Sequence, residues 1–301
     1  MKRLILVTLA LVIQVTSAFA DDQLIRYEHV MVPMKQGFFT VKLSTYLYTP
    51  PGQGPFPLIV LNHGKEAGTT RQPDAKFIWQ AEKFVARGYA VLVPNREGIA
   101  NSGGTYVSGC NVETSARHWA DSVQAAIDYV RTLPYVDATK IVVIGQSQGG
   151  ITTVALGERN LPGVVGIVNF AGGNRNDKCG GWENSLVSDY KDFGADSKVP
   201  ALFLYGDNDS FWGDGTLSKQ FFAAYHTGNP NSTYIDEGTF ADGDSHQFFH
   251  RKTGYATWAQ PLWKFFDSLG LNSQVVPEDE QAIKAASEQH LFAEPTEMST
   301  Q

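Results

Sequence analysis

Residues 141–150, Ile-Val-Val-Ile-Gly-Gln-Ser-Gln-Gly-Gly, constrain the fold of this chain more than any other stretch. Ile141, Val142, Val143 and Ile144 form a short run of β-branched side chains, the pattern of a strand buried on both faces in a parallel sheet. A Gly-x-Ser-x-Gly turn follows at once, and 151–157 reads as a short helix. Strand, sharp turn and helix in that order make a nucleophile elbow, in which strained backbone lifts the Ser147 hydroxyl clear of the sheet. Gly145 and Gly149 suit so tight a turn because a Cβ at either place would collide with neighbouring chain. The bland alternative is a glycine-rich βα turn that binds phosphate or merely connects. That alternative requires no histidine or acid further along.

The chain begins Met1-Lys2-Arg3, runs largely apolar over 4–13 and reaches Ala18-Phe19-Ala20. A basic start, a short apolar centre and an Ala-x-Ala end are the parts of a secretory signal peptide. Residues 1–20 are therefore expected to be removed near Ala20, leaving a secreted or periplasmic chain from Asp21. The apolar run is shorter than the roughly 20 residues of a membrane span, and no later run approaches that length. No stable membrane insertion is expected once the signal is gone. With 24 Lys and Arg against 31 Asp and Glu, and no basic cluster past the signal, the charge argues against nucleic acid as a partner. Cys110 and Cys179 are the only cysteines. In an oxidising compartment they are expected to pair and tie a loop before the elbow to one after it; two free thiols are the alternative, since spacing does not supply the geometry.

Strands are expected over 24–34 and 38–48, where Val41, Leu43, Thr45 and Leu47 alternate with Lys42, Ser44 and Tyr46. Further apolar strands are expected at 58–61, 90–93, 164–170, 201–205 and 233–236. Between them, a helix is predicted from Asp74 to a stop at Gly88, another after a Thr114 N-cap with Trp119, Val123, Ile127 and Val130 as its buried stripe, and others at 217–226 and 256–269. The stretch around Cys179, Gly180, Gly181 and Trp182 reads as a polar loop. Strands alternating with helices imply an α/β fold, a mostly parallel sheet covered on both faces. One domain is expected over 21–271, followed by a polar, charged tail over 272–301.

In such a sheet functional groups gather at the carboxyl ends of strands. Ser147, Asp209 and His246 fall at such ends in the order serine, acid, histidine. A serine hydroxyl needs a base to remove its proton as it attacks; a histidine supplies that base at neutral pH, and a carboxylate fixes its tautomer. Asp207 follows the same strand as Asp209, but the acid must curl back toward the histidine, which favours the later residue and leaves Asp207 to cap a turn. His250 could share a face with His246, which is preferred for its mobile loop. His63 is expected to pack beneath its loop. The others (His29, His118, His226, His290) carry no ligand spacing, so no metal is expected. Oxyanion donors are expected from the backbone N–H groups of Gln148 and Lys65, with the Lys65 side chain in solvent.

From Phe38 to Leu269 the chain resembles the dienelactone hydrolase branch of the α/β-hydrolases. The resemblance rests on Pro55-Phe56-Pro57, His63-Gly64, the Arg96…Gly98…Ser102-Gly103 loop, Gly145-Gln146-Ser147-Gln148-Gly149-Gly150, Gly206-Asp207-Asn208-Asp209 and His246. Gly149-Gly150 is also similar to prolyl-oligopeptidase-like serine peptidases. The resemblance implies an eight-stranded sheet, hydrolytic acyl transfer and no cofactor. Ser147 stands where the namesake enzymes have cysteine, so general carboxylic-ester hydrolysis of a small-molecule ester is expected rather than lactone opening. The short 171–200 segment argues against a large lid. Tyr106, Trp182, Phe211 and Trp212 are expected near the acyl pocket or in local core. Two rival readings remain: a peptidase or acyl-peptide hydrolase of prolyl-oligopeptidase type, and a hydrolase fold kept as a binding module.

Overall fold

β1 (Arg26–Gln36) and β2 (Phe39–Thr49) form an antiparallel hairpin that turns at Gly37, with Met34 opposite Val41. β3 (Phe56–Asn62), β4 (Ala90–Pro94), β5 (Val136–Gln146), β6 (Val164–Phe170), β7 (Ala201–Tyr205) and β8 (Ser232–Asp236) run parallel to one another. β2 joins them through an antiparallel pairing with β4, giving one 8-stranded sheet in the order β1-β2-β4-β3-β5-β6-β7-β8. These features come from a computed structural model that describes residues 25–289. The leader read at 1–20, the Ala20 cleavage point, the Asp21 start, His290 and the end of the tail lie outside the described residues.

Helices α1 (Ile78–Val85), α2 (Val112–Val130), α3 (Gln148–Gly157), α4 (Trp182–Asp196), α5 (Thr216–Gly228) and α6 (Tyr255–Ser268) alternate with the parallel strands. The core lies where Leu58, Ile59, Val60 and Leu61 of β3 and Ile141, Val142, Val143 and Ile144 of β5 are fully buried. Side chains of that size contribute about 1.5–3 kcal/mol each on burial, so these two strands are firmly held and their carboxyl ends are well placed.

Four elements depart from the sequence expectation. α1 begins at Ile78, four residues after Asp74. The Asp74 carboxylate instead accepts hydrogen bonds from Ser44 Oγ (2.7 Å), Tyr46 Oη (3.0 Å) and Asn101 N–H (3.0 Å). α2 is capped by Asn111 rather than Thr114: Asn111 Oδ1 accepts the Thr114 N–H at 2.8 Å, the Ncap-to-N3 bond of an amide cap. The stretch read as polar loop after Cys179 contains α4, which buries Leu186, Tyr190 and Phe193 on one stripe and packs on α5. α4 is the one helix between β6 and β7 among the described residues. Finally, the tail after Asn272, expected as a solvated helix or loose end, holds α7 (Pro277–Glu288), which is not solvated all round: Ile283 and Ala286 are buried on the α1 side of the domain.

Cys110 and Cys179 are joined in a disulfide with their Cα atoms 5.5 Å apart. The bond ties the loop entering α2 to the loop entering α4. Among the described residues, no helix is long and apolar enough to cross a membrane.

Candidate active site

Ser147 joins β5 to α3 with φ 56° and ψ −124°. A non-glycine residue held there stores about 1–3 kcal/mol of backbone strain, which the surrounding structure must offset. Ser147 N–H donates to Phe170 O at 3.0 Å, and Gly150 N–H donates to Ser147 O at 2.8 Å. A Cβ on Gly145 would lie 2.0 Å from Gly149 O, and one on Gly149 would lie 2.0 Å from Asn62 O. Backbone occupies the space on both sides of the turn, so both positions require glycine.

His246 sits in a short 3-10 turn (Ser245–Gln247) beyond β8, where Asp244 Oδ1 accepts its backbone N–H at 2.9 Å. Its Nε2 is 2.9 Å from Ser147 Oγ, and its Nδ1 is 3.0 Å from Asp209 Oδ2 and 3.1 Å from Oδ1. Asp209 follows β7, and its Oδ1 also accepts the N–H groups of Phe211 (2.8 Å) and Trp212 (3.1 Å). Asp209 and His246 are buried, and the Phe211 ring covers the imidazole with centroids 4.3 Å apart. The structure thus brings Ser147, His246 and Asp209 into one hydrogen-bonded chain. Asp207, half-buried, turns elsewhere: its N–H donates to Gly238 O.

The other two nearby histidines lie behind this chain. His250 Nε2 donates to Gln146 Oε1 at 3.0 Å, and Gln146 Nε2 donates to the His246 carbonyl at 2.8 Å. Gln146 therefore bridges the end of β5 to the turn that carries His246, a role the sequence reading did not assign. His63 packs beneath its loop as expected. Its Nε2 accepts the Arg96 N–H at 3.1 Å, which leaves Nδ1 to donate to Gly64 O at 2.6 Å. Burial, then the nearby Arg96 charge, holds His63 well below the ordinary histidine pKa, while burial and then His246 push His250 down to about 4.

These depressed values make acid stability a test of the site's construction. The unfolded chain protonates His250 near 6.5, while the folded chain resists protonation until about 4. Stability should therefore fall as pH drops from about 6.5 toward 4, by about 3 kcal/mol for His250 alone. Chemical denaturation across that range should show a slope that His250→Gln flattens. An unchanged slope in the variant would show that His250 is not held neutral.

Gln148 and Lys65 flank Ser147, and all three line one cavity of 570 Å³. The Gln148 N–H opens α3 and has no acceptor four residues back. The Lys65 side chain is not in free solvent: its ammonium donates to Glu66 O at 2.8 Å and lies 5.1 Å from the Tyr106 ring centroid. Burial lowers its pKa. Tyr106, Phe211 and Trp212 line the cavity. Trp182 does not; it stands behind Trp212, with ring centroids 6.2 Å apart. A second cavity of 400 Å³ meets the first at Lys65, Ser147 and Phe211 and is lined in addition by His246, Gln247 and His250.

Arg96 had appeared only as part of a motif, yet it is fully buried beneath the site. Its guanidinium donates to Asn62 Oδ1 (2.6 Å), His63 O (2.5 Å) and Gln148 Oε1 (2.9 Å). Burial lowers its pKa to about 9.

This arrangement can deprotonate a serine hydroxyl as it attacks a carbonyl carbon. The family model for the X-Pro dipeptidyl-peptidase (S15 family) matches residues 37–188, which include the elbow. The quorum-quenching protein AidA of Acinetobacter baumannii is 34% identical over 135 residues, covering 44% of this chain and 42% of AidA. The chain spans less than half the length of each of the curated relatives it matches. The esterase Pf2001 of Pyrococcus furiosus superposes with a TM-score of 0.60 at 17% identity, over 85% of this chain and 95% of that one. An acylaminoacyl peptidase of Pyrococcus horikoshii gives 0.58 at 16% identity, over 80% of this chain and 41% of that one. At these identities the two structures show a shared fold. The chain belongs to the X-Pro dipeptidyl-peptidase (S15) family, among the serine hydrolases of α/β-hydrolase fold.

Proposed function

We propose that this protein is an exported hydrolase that cleaves small carboxylic esters through an acyl-enzyme on Ser147. The observation that carries the reading is the chain Asp209–His246–Ser147, with His246 Nε2 2.9 Å from Ser147 Oγ and its Nδ1 3.0 Å from Asp209. Ser147 Oγ attacks the ester carbonyl as His246 Nε2 takes its proton. The N–H groups of Gln148 and Lys65 stabilise the oxyanion. His246 then returns the proton to the leaving alcohol, and the acyl group stays on Ser147. A water molecule, deprotonated by His246, attacks the acyl carbon and frees the acid. Asp209 remains ionised and stabilises the imidazolium in both halves. The leader at 1–20 and the disulfide support export to an oxidising compartment.

Membership of a peptidase family favours a second reading, in which the same machinery cleaves peptides. A dipeptidyl-peptidase must hold a substrate's terminal ammonium, which calls for carboxylates close to the serine. Among the residues lining the two cavities the one carboxylate is Glu66, and it is exposed. That lining supports the ester reading. Purified protein is expected to turn over 4-nitrophenyl acetate with a kcat/KM well above that for aminoacyl- and dipeptidyl-4-nitroanilides. Nitroanilide turnover that exceeded ester turnover would reverse the order of the two readings.

A further inference from the structure

The 570 Å³ cavity has a hydrogen-bond polarity that can be read outward from Arg96. A guanidinium only donates, so the Gln148 atom 2.9 Å from Arg96 Nη2 must be the amide oxygen. Gln148 therefore presents its NH2 group on the other side, where it donates to Tyr106 Oη at 2.7 Å and Asn174 Oδ1 at 3.0 Å. Each partner accepts one hydrogen bond from Gln148. Tyr106 keeps its own O–H, and Asn174 its amide N–H groups, to offer to the cavity they line. Lys65 adds an ammonium that has used one of its three donors, on Glu66 O. The floor of the cavity is thus a set of donors.

Its charge has the same sense. The chain carries a formal net charge of −7, yet the cavity lining holds Lys65, Arg175 and Lys178 against Glu66. Arg175 is paired with Asp177 at 2.7 Å, and Glu66 is exposed. Beneath the floor, Arg96 is fully buried and has no carboxylate partner among the described residues, with its Nε unpaired. A buried cation without a counter-ion is costly, and an anion in the cavity would offset that cost across Gln148.

Proton transfer decides which half of a substrate lies there. His246 must reach the leaving oxygen, so the leaving group belongs in the smaller cavity that His246 itself lines. The acyl group then extends the other way, past Gln148 into the larger cavity. We propose that this cavity selects acyl groups bearing a second, anionic function, a carboxylate that accepts from Tyr106, Asn174 and Lys65. The proposal rests on the esterase reading for the orientation of the substrate.

The test pairs 4-nitrophenyl hemiadipate with 4-nitrophenyl 6-methylheptanoate, which has the same shape without the charge. Hydrolysis of the first by the route above releases adipate and 4-nitrophenol with uptake of one water. In low salt, kcat/KM should favour the hemiadipate by about tenfold, the value of one hydrogen bond to a charged group. The ratio should shrink as salt is added, and it should fall in Tyr106→Phe and in Lys65→Met, which keeps its backbone N–H. Adipate titrated calorimetrically into the wild-type protein should bind, and more weakly in Tyr106→Phe. Equal turnover of the two esters would overturn the proposal and leave the esterase reading standing. Adipate binding without turnover of either ester would support the anionic cavity and overturn the esterase reading. Absence of both adipate binding and ester preference would overturn the proposal outright.

Discussion

Asp209→Asn is expected to lower kcat for ester hydrolysis about ten-thousand-fold while leaving the fold in place. The reason lies in what Asp209 already binds. Its Oδ1 accepts two backbone N–H groups, from Phe211 at 2.8 Å and Trp212 at 3.1 Å. An asparagine would keep its carbonyl oxygen on those donors and turn its NH2 toward His246. The Nδ1 atom, 3.0 Å from Asp209 Oδ2, would then have to accept, which places the imidazole proton on Nε2. A protonated Nε2 cannot take the proton of Ser147 Oγ. Steady-state kinetics of the variant, with near-ultraviolet circular dichroism to show intact packing, check this outcome. A loss smaller than about tenfold with packing intact would mean that Asp209 does not orient the base.

Ser147→Ala removes the attacking atom itself, and kcat should fall by about 10⁴–10⁶-fold. The residual rate is what binding and the oxyanion donors alone supply. Alanine carries the same Cβ at φ 56° and leaves the Ser147 N–H bond to Phe170 O in place. The elbow's strain is therefore unchanged, and the midpoint of thermal unfolding should stay close to that of the wild type. The combination of lost turnover and retained stability separates a chemical role for Ser147 from a structural one.

The parts of the fold legible in the sequence are those whose pattern is local. The run Ile141 to Ile144 announces a buried strand, and the glycines around Ser147 announce a turn that a Cβ would obstruct. The observed contacts at Gly145 and Gly149 have that cause. The order of Ser147, Asp209 and His246 was also legible, because the strands that carry them are separate apolar runs. α4 was not. Its buried stripe of Leu186, Tyr190 and Phe193 is a helical signal, but Glu183, Asn184, Ser185 and Ser188 surround it and two glycines precede it. Asn111 and Thr114, three residues apart, are both residue types that favour a helix N-cap, and only the fold shows that Asn111 Oδ1 takes the bond.

The site's supporting shell was the least legible part, since it depends on which side chains meet across the sheet. Nothing local marks Gln146 as the link between β5 and the His246 turn, and the two residues are 100 positions apart. Arg96 has no carboxylate partner among the described residues, so no charge pair marks it, and its guanidinium reaches the cavity through Gln148. Trp182 and Trp212 look alike as loop aromatics. The indole of Trp212 is held by Ala171 O at 2.8 Å at the cavity wall, and Trp182 packs behind it.

The central claim is that Ser147 is the nucleophile activated by His246, and covalent labelling tests it most directly. The folded wild-type protein, treated with a fluorophosphonate and digested, should carry one adduct on the peptide containing Ser147, and Ser147→Ala should carry none there. A wild-type protein that stays unlabelled, or one labelled at another serine with ester turnover abolished, would contradict the account.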